Sequence, residues 1–273
     1  MSDEDDIDAS SAPLIEHLIE LRQRLMKSVI AIAIFFVICF IFADKIFNIL
    51  IIPYQWGAGT TDVRFIYTAL EEYFFTQLKI ALFGSLFISF PVIATQLYGF
   101  VAPGLYKNER RAFLPFLVAT PVLFLIGSCL VYFLIMPLAT QFFLSQQQVG
   151  GDGQATIENL QAVSTYLGLI MTLIFAFGIM FQLPVVVTLL ASAGLITSDT
   201  LRSKRKYAIV LTFIAAAVLT PPDPISQIGL AVPTLLLYEI SILSARRIEK
   251  RRREAEAAKE ASEESESPDV AAS

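Results

Sequence analysis

Charges along this chain fall between long uncharged stretches rather than being spread evenly. Residues 28–43 carry none between Lys27 and Asp44, 80–106 none between Lys79 and Lys107, and 112–151 none between Arg111 and Asp152. The uncharged stretch 159–198 holds a fourth apolar segment at about 167–190. Segments 207–220 and 225–243 form a fifth and a sixth on either side of the turn Pro221-Pro222-Asp223-Pro224. A bilayer core of about 30 Å takes about 20 helical residues to cross. The pattern therefore predicts an all-α, polytopic membrane protein with six transmembrane helices. The fifth segment is short, at roughly 20 Å of helix, and calls for snorkelling flanks or a locally thinned bilayer.

Ahead of the first span the pattern changes. Leu14, Leu18, Leu21 and Leu25 recur at helical spacing, with Glu20, Arg22 and Arg24 off that stripe. This predicts a short amphipathic helix lying along the bilayer surface, its leucines in the lipid and the Glu20 carboxylate held at headgroup level.

Composition agrees with the class: 55% hydrophobic and 16% charged residues, with a mean hydropathy of +0.65, are too apolar for a soluble domain of 273 residues. Lysines and arginines fix the orientation. With the N-terminus inside, the cytoplasmic segments hold 17 of the 20, all but Lys45, Arg64 and Lys79. Six spans then place both termini in the cytosol. The formal net charge of −5 averages over acidic ends. Residues 1–12 read as an acidic disordered start, 13–246 as the membrane domain, and 247–273 as a basic, then acidic and largely disordered tail. The acidic start is unlike a cleaved signal, so the first span is expected to be retained.

Pro91, Pro115, Pro121, Pro184 and Pro233 fall inside spans and are expected to bend them, giving a concave bundle of bent helices, although ordinary packing irregularity explains such prolines as well. The outer connections 44–70 and 138–161 are the longest and could cap it, with Trp56 anchoring at the interface.

Three motifs, in order, carry a family resemblance: His17-Leu18-Ile19-Glu20-Leu21-Arg22-Gln23-Arg24-Leu25; Phe100-Val101-Ala102-Pro103-Gly104-Leu105-Tyr106-Lys107-Asn108-Glu109-Arg110-Arg111; and Leu219-Thr220-Pro221-Pro222-Asp223 followed by Ser226-Gln227. Together, on a six-span chain, they resemble TatC, the core subunit of the twin-arginine protein translocase, over about residues 13–246. The resemblance implies a receptor for precursors whose signal peptide carries two adjacent arginines, exported folded across the bacterial inner membrane on the proton gradient. It implies the single-span subunits TatB and TatA as partners in a multimeric complex. Glu20 and Glu109 match the family's signal-binding carboxylates, with Leu21, Phe100 and Leu105 adding apolar contacts. Thr220 and Gln227 match polar positions that dock a partner's helix. Gln182 stands where some relatives carry a glutamate. As an amide it is expected to face the bundle's hollow or a partner helix.

Read from spacing alone, Glu20 is equally an i,i+4 surface pair with Arg24, and Glu109 a loop charge offset by Arg110 and Arg111. Thr220 and Gln227 are alternatively satisfied within their own turn. The chain has no phosphate loop and no nucleophile-elbow or zincin motif, and it holds one histidine and two cysteines, so neither an enzyme, a metal, a cofactor nor a nucleic-acid partner is expected. A small-molecule transporter would place ionisable groups near the bilayer midplane, whereas Glu239, the only acid inside a span, lies toward the end of the sixth. A membrane insertase or scaffold remains the alternative.

Overall fold

A computed structural model describes residues 3–105, 110–147, 161–220 and 223–266. The chain is helical apart from one pair of two-residue strands. Helix α1 (Asp3–Ile41) is followed by α2 (Ala43–Ala58), strand β1 (Phe65–Ile66), α3 (Glu72–Leu105) and α4 (Arg110–Leu130). A π-helical turn (Val131–Ile135) joins α4 to α5 (Met136–Ser145), and strand β2 (Gln161–Ala162) precedes α6 (Val163–Met180). Then come α7 (Leu183–Ser192), α8 (Ser198–Ser203), α9 (Arg205–Leu219) and α10 (Pro224–Glu266). Five stretches are long and apolar enough to cross a membrane: Ile15–Ile41, Glu72–Phe100, Phe116–Ser145, Val163–Ser192 and Pro224–Glu254. The sixth apolar helix, α9, has only 15 residues, or about 22 Å. The chain divides into two compact units, Met1–Gly178 and Ile179–Ser273.

In the first unit, the amphipathic segment is not a separate surface helix. Nothing between Ile15 and Ile41 interrupts the backbone ladder, so the segment is the start of the first span itself, and Ser28 donates its hydroxyl back to the Arg24 carbonyl (3.1 Å). At 27 residues that stretch is about 40 Å long and overreaches the hydrocarbon core by about two turns. Its facing is also the reverse of the expected one. Leu18, Leu21 and Leu25 are uncovered by protein, while Glu20, Arg24, Ser28 and Cys39 form the covered side. In a bilayer the apolar stripe has no need of a protein core, so the polar residues take the protein side.

Helix α1 packs on α3. Glycines let them approach: a Cβ on Gly84 would come within 3.0 Å of the Cys39 sulfur, and one on Gly99 would collide with the Arg24 guanidinium. Deeper in the unit, Phe124 is buried, stacks on Phe90 with centroids 3.8 Å apart, and touches Phe87 and Phe175. A side chain at Gly178 would occupy the space of the Phe124 ring.

The connection 44–70 is largely a helix. Helix α2 lays Leu50, Ile51 and Tyr54 inward and packs against α5 and α3. Pro53 within it has no N–H for the Ile49 carbonyl, and Tyr132 supplies the missing donor from its hydroxyl at 2.7 Å. The Tyr166 hydroxyl reaches the Leu50 carbonyl at 2.9 Å. Beyond α2 the chain returns as β1, which pairs in parallel with β2, Phe65 opposite Gln161. Tyr54, Phe65 and Tyr166 stack edge to face beneath that pair. Trp56 is half exposed and lies on the Phe133 ring, 5.6 Å between centroids.

Most of the prolines do not break their helices. Helix α3 runs unbroken through Pro91 and α10 through Pro233. The discontinuities sit immediately before two others, where the missing N–H removes a rung of the ladder: the π-helical turn precedes Pro137, and a turn at residues 181–182 precedes Pro184.

In the second unit, α10 packs on α7, α8 and α9. It continues as helix to Glu266, well past Arg247, where the sequence predicts mostly unfolded tail; its Ala-, Glu-, Lys- and Arg-rich composition has high helix propensity. Glu249 on this extension accepts from the Ser198 backbone N–H (2.5 Å) and hydroxyl (2.7 Å), which satisfies the start of α8. Tyr238 donates to the Leu201 carbonyl at 2.7 Å. The extension is thereby tied to α8.

Candidate functional site

Around Glu20, α1 and the end of α3 bring together an anion, two nitrogen bases and an aromatic face. The Arg24 guanidinium, one turn along α1, donates from Nε (2.9 Å) and Nη2 (2.7 Å) to Glu20 Oε1. Both side chains are about one-third exposed, 35% for Glu20 and 27% for Arg24. The second carboxylate oxygen, Oε2, faces His17 Nδ1 at 3.9 Å, too far for a hydrogen bond. His17 is positioned from α3: its ring stacks on Phe100 with centroids 4.2 Å apart and planes 19° from parallel. Beside Phe100, Gly99 leaves the space that the guanidinium fills. The carboxylate thus sits on the protein-facing side of α1, bounded by a planar aromatic pair and already engaged with a guanidinium.

Two of the residues expected to join it are only partly described. Leu105 ends α3, and its side chain lies outside the described residues, as does the whole of Glu109. Leu21 is exposed, beside Glu20 but turned away from α3.

The polar positions of the second unit are placed differently. Thr220 is buried, with 7% of its surface exposed, and donates its hydroxyl to the Ala216 carbonyl of its own helix at 2.8 Å. Gln227 is half-buried in the first turn of α10, its backbone N–H on the Asp223 carbonyl. Asp223 accepts from the Ser226 N–H at 2.7 Å and so caps that helix. Gln182 is half-buried in the turn between α6 and α7, its carbonyl accepting from the Val186 N–H. Glu239 pairs with Arg205 at the start of α9 (2.6 Å), with both side chains nearly half exposed. The outer face of α9 is apolar and uncovered: Tyr207, Val210, Leu211, Ile214 and Val218 follow one another at helical spacing and are all more than half exposed. Among the described residues no group of three or more His, Cys, Asp or Glu is gathered to hold a metal ion.

This arrangement coincides with a family match. The family described as Sec-independent protein translocase protein (TatC) matches residues 16–233. The chain belongs to the TatC family. The Sec-independent protein translocase protein TatC of Magnetococcus marinus is 52% identical over 250 residues, covering 92% of this chain and 90% of that one. The protein of the same name from Escherichia coli K12 is 38% identical over 236 residues, covering 86% and 88%. A crystal structure of the twin-arginine translocase receptor TatC superposes with a TM-score of 0.72 at 39% identity, covering 85% of this chain and 99% of that one. TatC is a membrane-embedded component of a protein translocase, and this chain is such a component.

Within this TatC chain, three features of the Glu20 site are not evident from motif matching. His17 is held on Phe100, Arg24 returns to Glu20, and Gly99 makes room for it. The i,i+4 spacing of Glu20 and Arg24 was a readable signal. A glycine inside an apolar helix beside Phe100 was another, since it marks close approach of a second chain segment. The facing of His17 had no sequence signal.

Proposed function

We propose that this chain is the receptor for twin-arginine signal peptides in a bacterial inner-membrane translocase that exports folded proteins, with Glu20 and Glu109 receiving the signal's arginines. One observation carries the reading: the Glu20 carboxylate, turned toward protein rather than lipid, is engaged by a guanidinium through two N–H groups. A site that satisfies one guanidinium suits another. An ammonium cannot reproduce a planar, two-donor contact, which gives a physical reason for a signal to require arginine rather than lysine. Phe100 and the exposed Leu21 offer apolar surface for the signal's neighbouring residues, and Leu105 belongs to the same set. The uncovered stripe of α9, flanked by Thr220 and Gln227, offers a surface for the single helix of TatB or TatA in a multimeric assembly. The proton gradient supplies the energy for transport.

The deciding experiment is binding of synthetic signal peptides bearing Arg-Arg or Lys-Lys to the full-length protein in nanodiscs. The Arg-Arg peptide should bind at least tenfold more tightly, and equal affinities would refute the receptor reading. Orientation is tested separately. Single cysteines at Asn108 and Ser203 should resist a membrane-impermeant thiol reagent applied outside intact cells, while one at Gly151 should react. Labelling of Asn108 or Ser203 from outside would reverse the topology.

A further inference from the structure

We infer that Arg24 is a built-in occupant of the receptor site, so that a signal peptide binds by exchanging its own guanidinium for that of Arg24 rather than by filling an empty pocket. The inference rests on Glu20 being a receptor carboxylate. It follows from four observations on one cluster. Arg24 engages Glu20 with two N–H donors, the chemistry attributed to the ligand. Both donors converge on Oε1, leaving Oε2 toward His17 at 3.9 Å, so the contact is one-sided and incomplete as a fork. The guanidinium rests in the space above Gly99, against helix backbone, where any side chain would displace it. The pair is one-third exposed, which makes the contact weak enough to be broken by a competitor. The resident guanidinium keeps the carboxylate charged and oriented toward α3, and it sets an affinity threshold that a poorly matched cation does not pass.

Because the competitor belongs to the receptor, removing it should tighten every cationic ligand by one common factor. The experiment measures the affinity of Arg-Arg and Lys-Lys peptides for the full-length protein in nanodiscs, with thermal unfolding run on each variant to verify folding. Arg24→Gln should bind both peptides about two- to fivefold more tightly, with their ratio unchanged, since a partly exposed pair is worth no more than that. Arg24→Lys keeps the charge but loses the planar donors, and should tighten binding by a smaller factor. Gly99→Ala keeps Arg24 and every charge while displacing its guanidinium, and should also tighten binding.

Wild-type affinity in both Arg24→Lys and Gly99→Ala, with tightening only in Arg24→Gln, would assign the effect to net charge and overturn the exchange. Unchanged or weaker binding in Arg24→Gln would make Arg24 a support of the site and overturn it as well. A fall in the Arg-Arg to Lys-Lys ratio would mean that Arg24 reads the signal directly, with the same consequence. Glu20→Ala separates this inference from the reading beneath it. If that variant binds like wild type, the receptor assignment itself fails; if it loses binding while the Arg24 and Gly99 variants do not tighten, only the exchange fails.

Discussion

Glu72 and Glu20 lie in the same unit, one at each end of the α1–α3 pair, and they are satisfied in opposite ways. Glu72 Oε2 accepts from the Thr68 N–H (2.6 Å), the Thr68 hydroxyl (2.8 Å) and the Ala69 N–H (3.3 Å), while Oε1 takes the Ser164 N–H (3.3 Å). Its donors are mostly backbone groups that cannot leave without unfolding the turn before α3 or the start of α6. Glu20 is held by one long, flexible side chain. The difference separates structural from functional carboxylates more clearly than exposure does. A carboxylate closed by backbone donors is fixed, and one closed by a displaceable cation can be reopened. Asp44, which takes the Tyr73 hydroxyl (2.9 Å) and the Gln77 amide (2.6 Å), lies nearer the structural kind.

The largest expected effect is at Glu20. Glu20→Ala and Glu20→Gln should each weaken binding of a twin-arginine peptide about tenfold or more and stop export, with Tm unchanged, because a charge-assisted contact is lost at a site that supports no packing. Normal precursor binding in the Glu20→Ala, Glu109→Ala double variant would remove both carboxylates from the site. Glu72→Ala should do the converse: a lower Tm and faster proteolysis of the segment around Phe65 and Ser164, with peptide affinity intact in the folded fraction. Loss of affinity without loss of stability there would erase the contrast between the two acids.

A smaller effect is expected where structure is held by hydroxyls. Tyr132→Phe leaves the Ile49 carbonyl without a donor, since Pro53 cannot supply one, and should cost about 1–2 kcal/mol in unfolding measurements. Tyr166→Phe should cost less, because the Leu50 carbonyl retains its in-helix donor, the Tyr54 N–H. Equal costs would mean that Pro53 leaves no real gap. The smallest effect concerns α9. Thr220→Val with Gln227→Leu should shift disulfide crosslinks between α9 and a partner helix by no more than a turn, and Thr220→Val alone should leave them unchanged, since its hydroxyl already serves Ala216. An unchanged pattern in the double variant would place the partner elsewhere.

Much of the membrane architecture was legible from charge spacing. Five of the six apolar segments form helices long enough to span, and the shortness of 207–220 reappears as the 15 residues of α9. The helix within 44–70 was missed because Asp44, Lys45 and Pro53 disguise it. Yet it is recognisable in hindsight from Ile46, Leu50, Ile51 and Tyr54 at helical spacing. The prolines were legible as positions but not as outcomes. Pro91 and Pro233 are absorbed into continuous helices, whereas the ladder is interrupted ahead of Pro137 and Pro184.

By itself, the sequence determined which segments enter a membrane, because the cost of burying charge in hydrocarbon is large and depends only on the residues of each segment. It also determined the family, through three short motifs in order. It could not determine which side of α1 meets protein. An amphipathic pattern names an apolar face and a polar face, but in a bilayer the apolar one is content with lipid, so only packing against α3 turned Glu20 and Arg24 inward. The same is true of the carboxylates. Nothing in their sequence neighbourhoods makes Glu72 fixed and Glu20 exchangeable; that was decided when the fold set a backbone turn and Ser164 around one, and a single arginine beside the other.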